Sequence, residues 1–269
     1  NGSAGRLEKS PALGMMNKLS IVWGLIAALC SAVLWVLSIP PFEFAEAGYM
    51  AFVPLLLWLY TRPKGWTVLL CAGLTGWLSW FVILIWLRHV TLIGTLLLSG
   101  ILGLIFVLWA CFARWILPKV YLRSFAVRLI AFCGVAGAWV LLEWVRSWLF
   151  WGFPWAPLAL SQWERPVALQ VAAWTGAYGI SFLLIFFNLC VAQTLRSRFV
   201  KREMTKRWHG WFSLDLYVGV GTLGFSIYLF FGALPNFDNQ EALFTAGVVQ
   251  PYITPELKWD SERELENLD

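Results

Sequence analysis

Glu143 and Arg146 stand three residues apart near the end of a long apolar run, so on a helix they share a face and their side chains come within reach of one another. Ionisable groups at membrane depth are costly to place and mark functional sites by default. Two chemistries fit the spacing. One is an ion pair that satisfies a helix end; the other is a site where the guanidinium grips a phospholipid phosphate through paired N–H donors. Directly downstream runs Trp148-Leu149-Phe150-Trp151-Gly152-Phe153-Pro154-Trp155. Such rings suit the headgroup layer, where Trp and Tyr gather in many membrane proteins. Gly152 and Pro154 also specify a turn, which would hold Trp151, Phe153 and Trp155 in a fixed array for a lipid chain or a peptide.

The remaining chemistry-bearing residues form no constellation. Cys30, Cys71, Cys111, Cys133 and Cys190 all fall inside apolar segments, without a C-x-x-C pair or a neighbouring His, and are expected to be small buried hydrophobes. His89 and His209 are single, so neither a metal site nor a triad is expected, and no cofactor is implied. Near the carboxy terminus Gln250 ends an apolar stretch and Lys258-Trp259-Asp260 precedes a charged one. A solvated loop is sufficient to explain both.

The elements that position these residues are set by composition. Of 269 residues 60% are hydrophobic and 13% charged, far from the balance of a soluble domain. Seven apolar segments are separable: Leu19 to Ile39, Gly48 to Tyr60, Trp66 to Leu87, Val90 to Leu117, Val127 to Phe150, Leu169 to Leu195 and Leu214 to Leu234. Most are long enough to cross about 30 Å of hydrocarbon as helices. The second is short and reads as tilted or re-entrant, and the fourth is long enough to tilt. Gly176, Gly179 and Ser181, and Gly219, Gly221 and Gly224, would allow close helix approach. The expected fold is therefore an all-α polytopic membrane helix bundle of about seven transmembrane helices, spanning residues 19–234.

Charge supplies the orientation. With seven crossings, fifteen of the twenty Lys and Arg fall on the side of the amino terminus, which the positive-inside rule makes cytoplasmic. The same distribution, in short clusters between apolar runs, argues against a nucleic-acid surface despite a net charge of +5. Residues 1–18 are expected to be a leader and cytoplasmic amino terminus. After Leu234 the turn formers Pro235, Asn236, Asp238 and Asn239 introduce a soluble segment of different character. It reads as a strand over Ala242 to Val249, a loop over Gln250 to Pro255 and a charged helix from about Asp260, the start of a second domain over residues 235–269.

Taken together, Pro41-Phe42-Glu43-Phe44, Glu143-Trp144-Val145-Arg146, Gly152-Phe153-Pro154-Trp155, Ser161-Gln162, Gly176-Ala177-Tyr178-Gly179-Ile180-Ser181-Phe182, Val249-Gln250 and Leu257-Lys258-Trp259-Asp260 resemble bacterial apolipoprotein N-acyltransferases in order and spacing. The resemblance implies a transmembrane bundle carrying a periplasmic nitrilase-like α/β domain, of which residues 235–269 would be the truncated start. It implies a phospholipid acyl donor and a diacylated apolipoprotein as partners, with membrane lipids around, and the bacterial inner membrane as location. A Glu-Lys-Cys triad carries the acyl group as a thioester in that family; nothing between Asn1 and Asp269 matches it, so no catalytic residue is expected in this chain. The resemblance places Glu143, Arg146, Trp151, Phe153, Pro154, Trp155 and Gln162 on the lipid and substrate cavity, and Gln250, Lys258 and Trp259 at the domain junction. Two readings of other kinds compete with it. A transporter would need charged residues at several span centres, and a membrane anchor would carry an unrelated soluble domain.

Overall fold

A computed structural model describes residues 11–149, 152–205, 213–233 and 246–248. The chain divides into two units, Asn1–Ala233 and Leu234–Asp269. Of the second only residues 246–248 are described; they carry no regular structure, although the sequence places them in a strand, because a strand needs a partner for its ladder. The remainder of that expected strand, loop and helix, with Gln250, Lys258 and Trp259, lies outside the described residues.

The first unit is helical, with no strand among the described residues. Its helices are α1 (Pro11–Ser38), α2 (Val53–Leu59), α3 (Gly65–Ile83), α4 (Leu92–Val120), α5 (Phe125–Trp148), α6 (Pro166–Leu169), α7 (Ala172–Thr205) and α8 (Leu214–Tyr228). Short 3₁₀ turns occupy Ala45–Tyr49, Ile85–His89 and Leu158–Gln162. Among the described residues six segments are long and apolar enough to cross a membrane: Ser20–Ser38, Gly65–Ile83, Leu92–Val120, Phe125–Trp148, Ala172–Arg198 and Leu214–Gly232. Large apolar side chains such as Trp23, Ile93, Leu104 and Ile130 point outward from them, as lipid-facing residues do.

The expected short second crossing is a composite. Its seven-residue helix α2 rises only about 10 Å, far less than a bilayer core. The 3₁₀ turn before it begins where α1 ends, with Phe44 N–H donating to Leu37 O. From there the segment runs back along α1: Leu55 N–H donates to Ser31 Oγ and the Trp58 indole to Ser20 O. Helix α3 then runs parallel to α1, since Thr75 Oγ1 donates to Ala28 O and the Trp35 and Trp80 rings meet 5.6 Å apart. The chain therefore traverses the bundle seven times, six times as a long helix and once as a turn plus α2.

Non-helical backbone at this depth is tolerated only where protein satisfies it. Asn188, midway along α7, does so from both sides of the break: its Nδ2 donates to Gly48 O and its Oδ1 accepts from Phe52 N–H, both at 2.9 Å. Gln162 Nε2 donates to Ala45 O at 2.8 Å. At the far end Tyr60 OH donates to Gln193 Oε1, and Gln193 Nε2 to Tyr121 O.

A backbone-to-backbone helix crossing lies outside the six small residues singled out from the sequence. A Cβ on Gly76 of α3 would lie 2.9 Å from the Gly103 Cα of α4. Gly219 does meet Cys190, but Gly176, Gly221 and Gly224 face open space and Gly179 faces only Thr175 of its own helix. Helix α7 is instead kinked at Gly176 (φ 64°, ψ −171°). Of the cysteines, Cys71 and Cys190 are buried as expected, while Cys30 and Cys133 are exposed on the bundle surface. A thiol is small and apolar enough to face lipid as well as protein.

The two ends of the bundle differ in charge. Arg62, Arg114, Arg128 and Arg196 collect at one end, where Arg62 donates to Pro118 O, Arg114 to Pro63 O, and Arg128 forms a two-pronged pair with Asp215 at 2.9 Å. Glu143, Arg146 and the Arg165–Glu46 pair lie toward the other.

Candidate functional site

The candidate site is built on the last two turns of α5. Glu143 and Arg146 are 7% and 5% exposed, so both charges have left solvent. They do not pair directly: the ion pairs among the described residues are Arg128–Asp215 and Arg165–Glu46. Each is committed instead to the segment after the helix. Arg146 Nη1 donates to Phe153 O at 2.9 Å and to Trp155 O at 2.6 Å. Glu143 Oε1 accepts from Leu158 N–H at 2.8 Å. Two charged side chains one helical turn apart thus hold both ends of a six-residue strap, Phe153–Leu158.

The local sequence makes the strap possible. Gly152 adopts φ 80°, and a Cβ there would collide with Ser147 O, so the chain can reverse at this point only with glycine. The reversal closes with Phe153 N–H donating to Arg146 O at 2.8 Å. Pro154 and Pro157 keep the strap extended, since proline cannot continue a helix. Ala156 lies at φ 47°, sparsely populated for a residue with a Cβ, between the carbonyl that Arg146 holds and the N–H that Glu143 holds.

Above the strap the rings stack. Phe153 and Trp155 lie 6.1 Å apart at 24°, and Trp155 stacks on Trp86 of the 3₁₀ turn Ile85–His89 at 4.9 Å and 15°. Trp86 and Trp155 are both exposed, so this pair presents an aromatic face at the bundle end. Beneath the strap the Arg146 guanidinium sits 4.9 Å from the centre of the Trp80 ring, a cation–π contact that helps retain a buried charge. Below that lies a small cavity of about 30 Å³ lined by Trp35, Trp80, Phe106, Trp109, Trp139, Glu143 and Arg146 among others.

The structure therefore brings together Glu143, Arg146, Phe153, Pro154 and Trp155, while Trp151 lies outside the described residues. Gln162 is set apart: it is buried in the turn Leu158–Gln162, and its amide serves Ala45 O and Ser161 Oγ. Several partners of the site were not singled out from the sequence. Trp80, Trp86 and Trp139 come from α3, the loop after it and α5, and no local pattern distinguishes them from the other sixteen tryptophans of the sequence. Asn188 did carry a signal, a lone amide in the middle of an apolar run.

The sequence model of the apolipoprotein N-acyltransferase N-terminal domain matches residues 31–190, which include α5, the strap and Asn188. Among curated proteins, an apolipoprotein N-acyltransferase of Treponema denticola is 29% identical over 94% of this chain and 47% of its own length. That of Brucella melitensis is 27% identical over 88% of this chain and 45% of its own, and that of Geobacter metallireducens 31% over 66% and 34%. The chain thus spans about half the length of the curated relatives it matches. With the domain match covering more than half of these residues, the multi-pass bundle that holds the strap belongs to the apolipoprotein N-acyltransferase family.

Proposed function

We propose that this chain is the membrane part of an enzyme that transfers an acyl chain from a phospholipid to the α-amine of the amino-terminal diacylglyceryl-cysteine of apolipoproteins. The family match over residues 31–190 carries this reading. The resemblance puts the Glu-Lys-Cys triad beyond Asp269, so residues 1–269 alone are expected to form no thioester and no product. In the complete enzyme a thiolate would attack the donor ester, release a lysophospholipid and hold the acyl group until the amine displaces it.

Within that reaction the bundle's part is to present lipids. The strap supports this role through its exposed Trp155, stacked on the exposed Trp86 of the turn Ile85–His89, which together offer an amphipathic surface at headgroup depth. Glu143 and Arg146 act as positioning residues, fixing the strap rather than gripping a phosphate, because Glu143 Oε1 and one guanidinium nitrogen of Arg146 are engaged with its backbone. Trp151 is assigned to the same surface, and Gln250, Lys258 and Trp259 to the junction with the nitrilase-like domain. The enzyme is placed in the bacterial inner membrane, with the basic bundle end cytoplasmic and the strap and carboxy-terminal tail periplasmic.

The experiment supplies the complete enzyme in proteoliposomes with phospholipid and a diacylated lipopeptide. The lipopeptide should gain the mass of one acyl chain at its amine. No gain from folded enzyme with an intact nucleophile would overturn the reading.

A further inference from the structure

Three buried polar atoms that line one region of the bundle have no hydrogen-bond partner: Trp35 Nε1, Trp139 Nε1 and Glu143 Oε2. All three belong to residues lining the cavity beneath the strap. The Trp35 and Trp139 rings meet edge to face 5.7 Å apart, and the Trp139 indole and the Ser181 hydroxyl both approach the Glu143 carboxylate, with Trp139 Nε1 and Glu143 Oε2 falling short of direct hydrogen-bond geometry. Their neighbour Trp109, on the same cavity, is fully paired through its indole to Val135 O at 3.0 Å. Buried polar groups are nearly always satisfied, so three unpaired atoms around one space need a common explanation.

The cavity is about 30 Å³, room for one or two waters and far too little for a lipid chain. Its unpaired groups are complementary: two N–H donors and one carboxylate oxygen that accepts. Water matches that set, accepting from both indoles and donating to Glu143, whereas a cation would face two donors. We propose that the cavity is a built-in water site, in which ordered water links Trp35 and Trp139 to Glu143 Oε2 and fixes the carboxylate whose other oxygen holds Leu158 N–H. The site is thus a positioning device for the strap, and it stands whether or not the lipid-presenting role above is correct.

Radiolytic hydroxyl-radical labelling in ¹⁸O water, on the unmutated protein in lipid nanodiscs, tests it directly. Trp35 and Trp139, which are 2% and 6% exposed, should take up label several-fold faster than Trp58, which is 5% exposed with its indole paired to Ser20 O. Equal rates at all three would overturn the proposal. A second test is donor–acceptor arithmetic. Glu143→Gln keeps the oxygen that Leu158 needs but turns an NH₂ toward two indole donors, and one water has only two lone pairs. Its melting temperature should fall by roughly 3–6 °C. Adding Trp139→Phe, which removes one donor, should restore part of that loss, and simple additivity of the two substitutions would sink the water bridge.

Discussion

Arg146 fixes two carbonyls of the strap, Phe153 O and Trp155 O, from one nitrogen, so its loss should be felt at the strap before it is felt in the bundle. In the complete enzyme Arg146→Ala is expected to lower acyl transfer at least tenfold, the effect of a misplaced substrate wall, while leaving membrane insertion and abundance intact. Arg146→Lys keeps a multiple donor on one nitrogen but loses the planar guanidinium that lies over Trp80, so it should recover only part of the activity. Equal activity of Arg146→Ala at equal abundance would remove the strap from the site. Ala156 makes the opposite prediction. Its left-handed backbone is held by the groups on either side, and Ala156→Gly removes the clash at φ 47°. Thermal unfolding of that variant in detergent should show a gain of about 0.5–1 kcal/mol or no change, not a loss. The residue types at this site were legible in the sequence, as was the glycine turn. What could not be read was that Glu143 and Arg146 turn away from one another, because the competing backbone acceptors arrive only when the strap folds back.

Helix packing is decided by contacts that no single element contains. Gly76 and Gly103 permit α3 and α4 to touch backbone to backbone, and a leucine at Gly103 has nowhere to go but into the Trp77 backbone 3.0 Å from its Cβ. Gly103→Leu should lower stability by about 3 kcal/mol or more, read as a lost cooperative transition in detergent, whereas Gly224→Ala, facing open space, should be silent or slightly stabilising. The composite second crossing depends equally on Asn188. Asn188→Leu keeps the branched shape but strands Phe52 N–H and Gly48 O in an apolar interior. The expected cost is roughly 2–5 kcal/mol from two unsatisfied groups, while Asn188→Asp, which retains the acceptor, should lose less. A unit that melts unchanged as Asn188→Leu would show that the break is satisfied by other means. The shortness of this segment was plain from the sequence. That it still crosses was not, because the polar groups that make the crossing possible lie more than a hundred residues downstream.

At the scale of the whole molecule, seven passes put the loop around Arg62 and Lys64 and the loop around Arg123 at one bundle end, and the strap at the other. Single cysteines introduced at Lys64 and Arg123, in a background lacking the five natural ones, should therefore resist a membrane-impermeant maleimide in intact cells, while one at Glu164 should react. Reaction at Lys64 would break the seven-pass order. The sequence by itself determined the class of the protein, its six long apolar passes, the segregation of basic residues and the family, because hydrophobicity, charge and motif order are additive along the chain and need no partner to be read. The tertiary structure alone decided which glycines touch, which amide repairs the broken crossing, and that two charges one turn apart hold a strap together. Those outcomes depend on the low-dielectric interior, where each buried polar group must find a partner. Which partner it finds is settled only when distant segments meet.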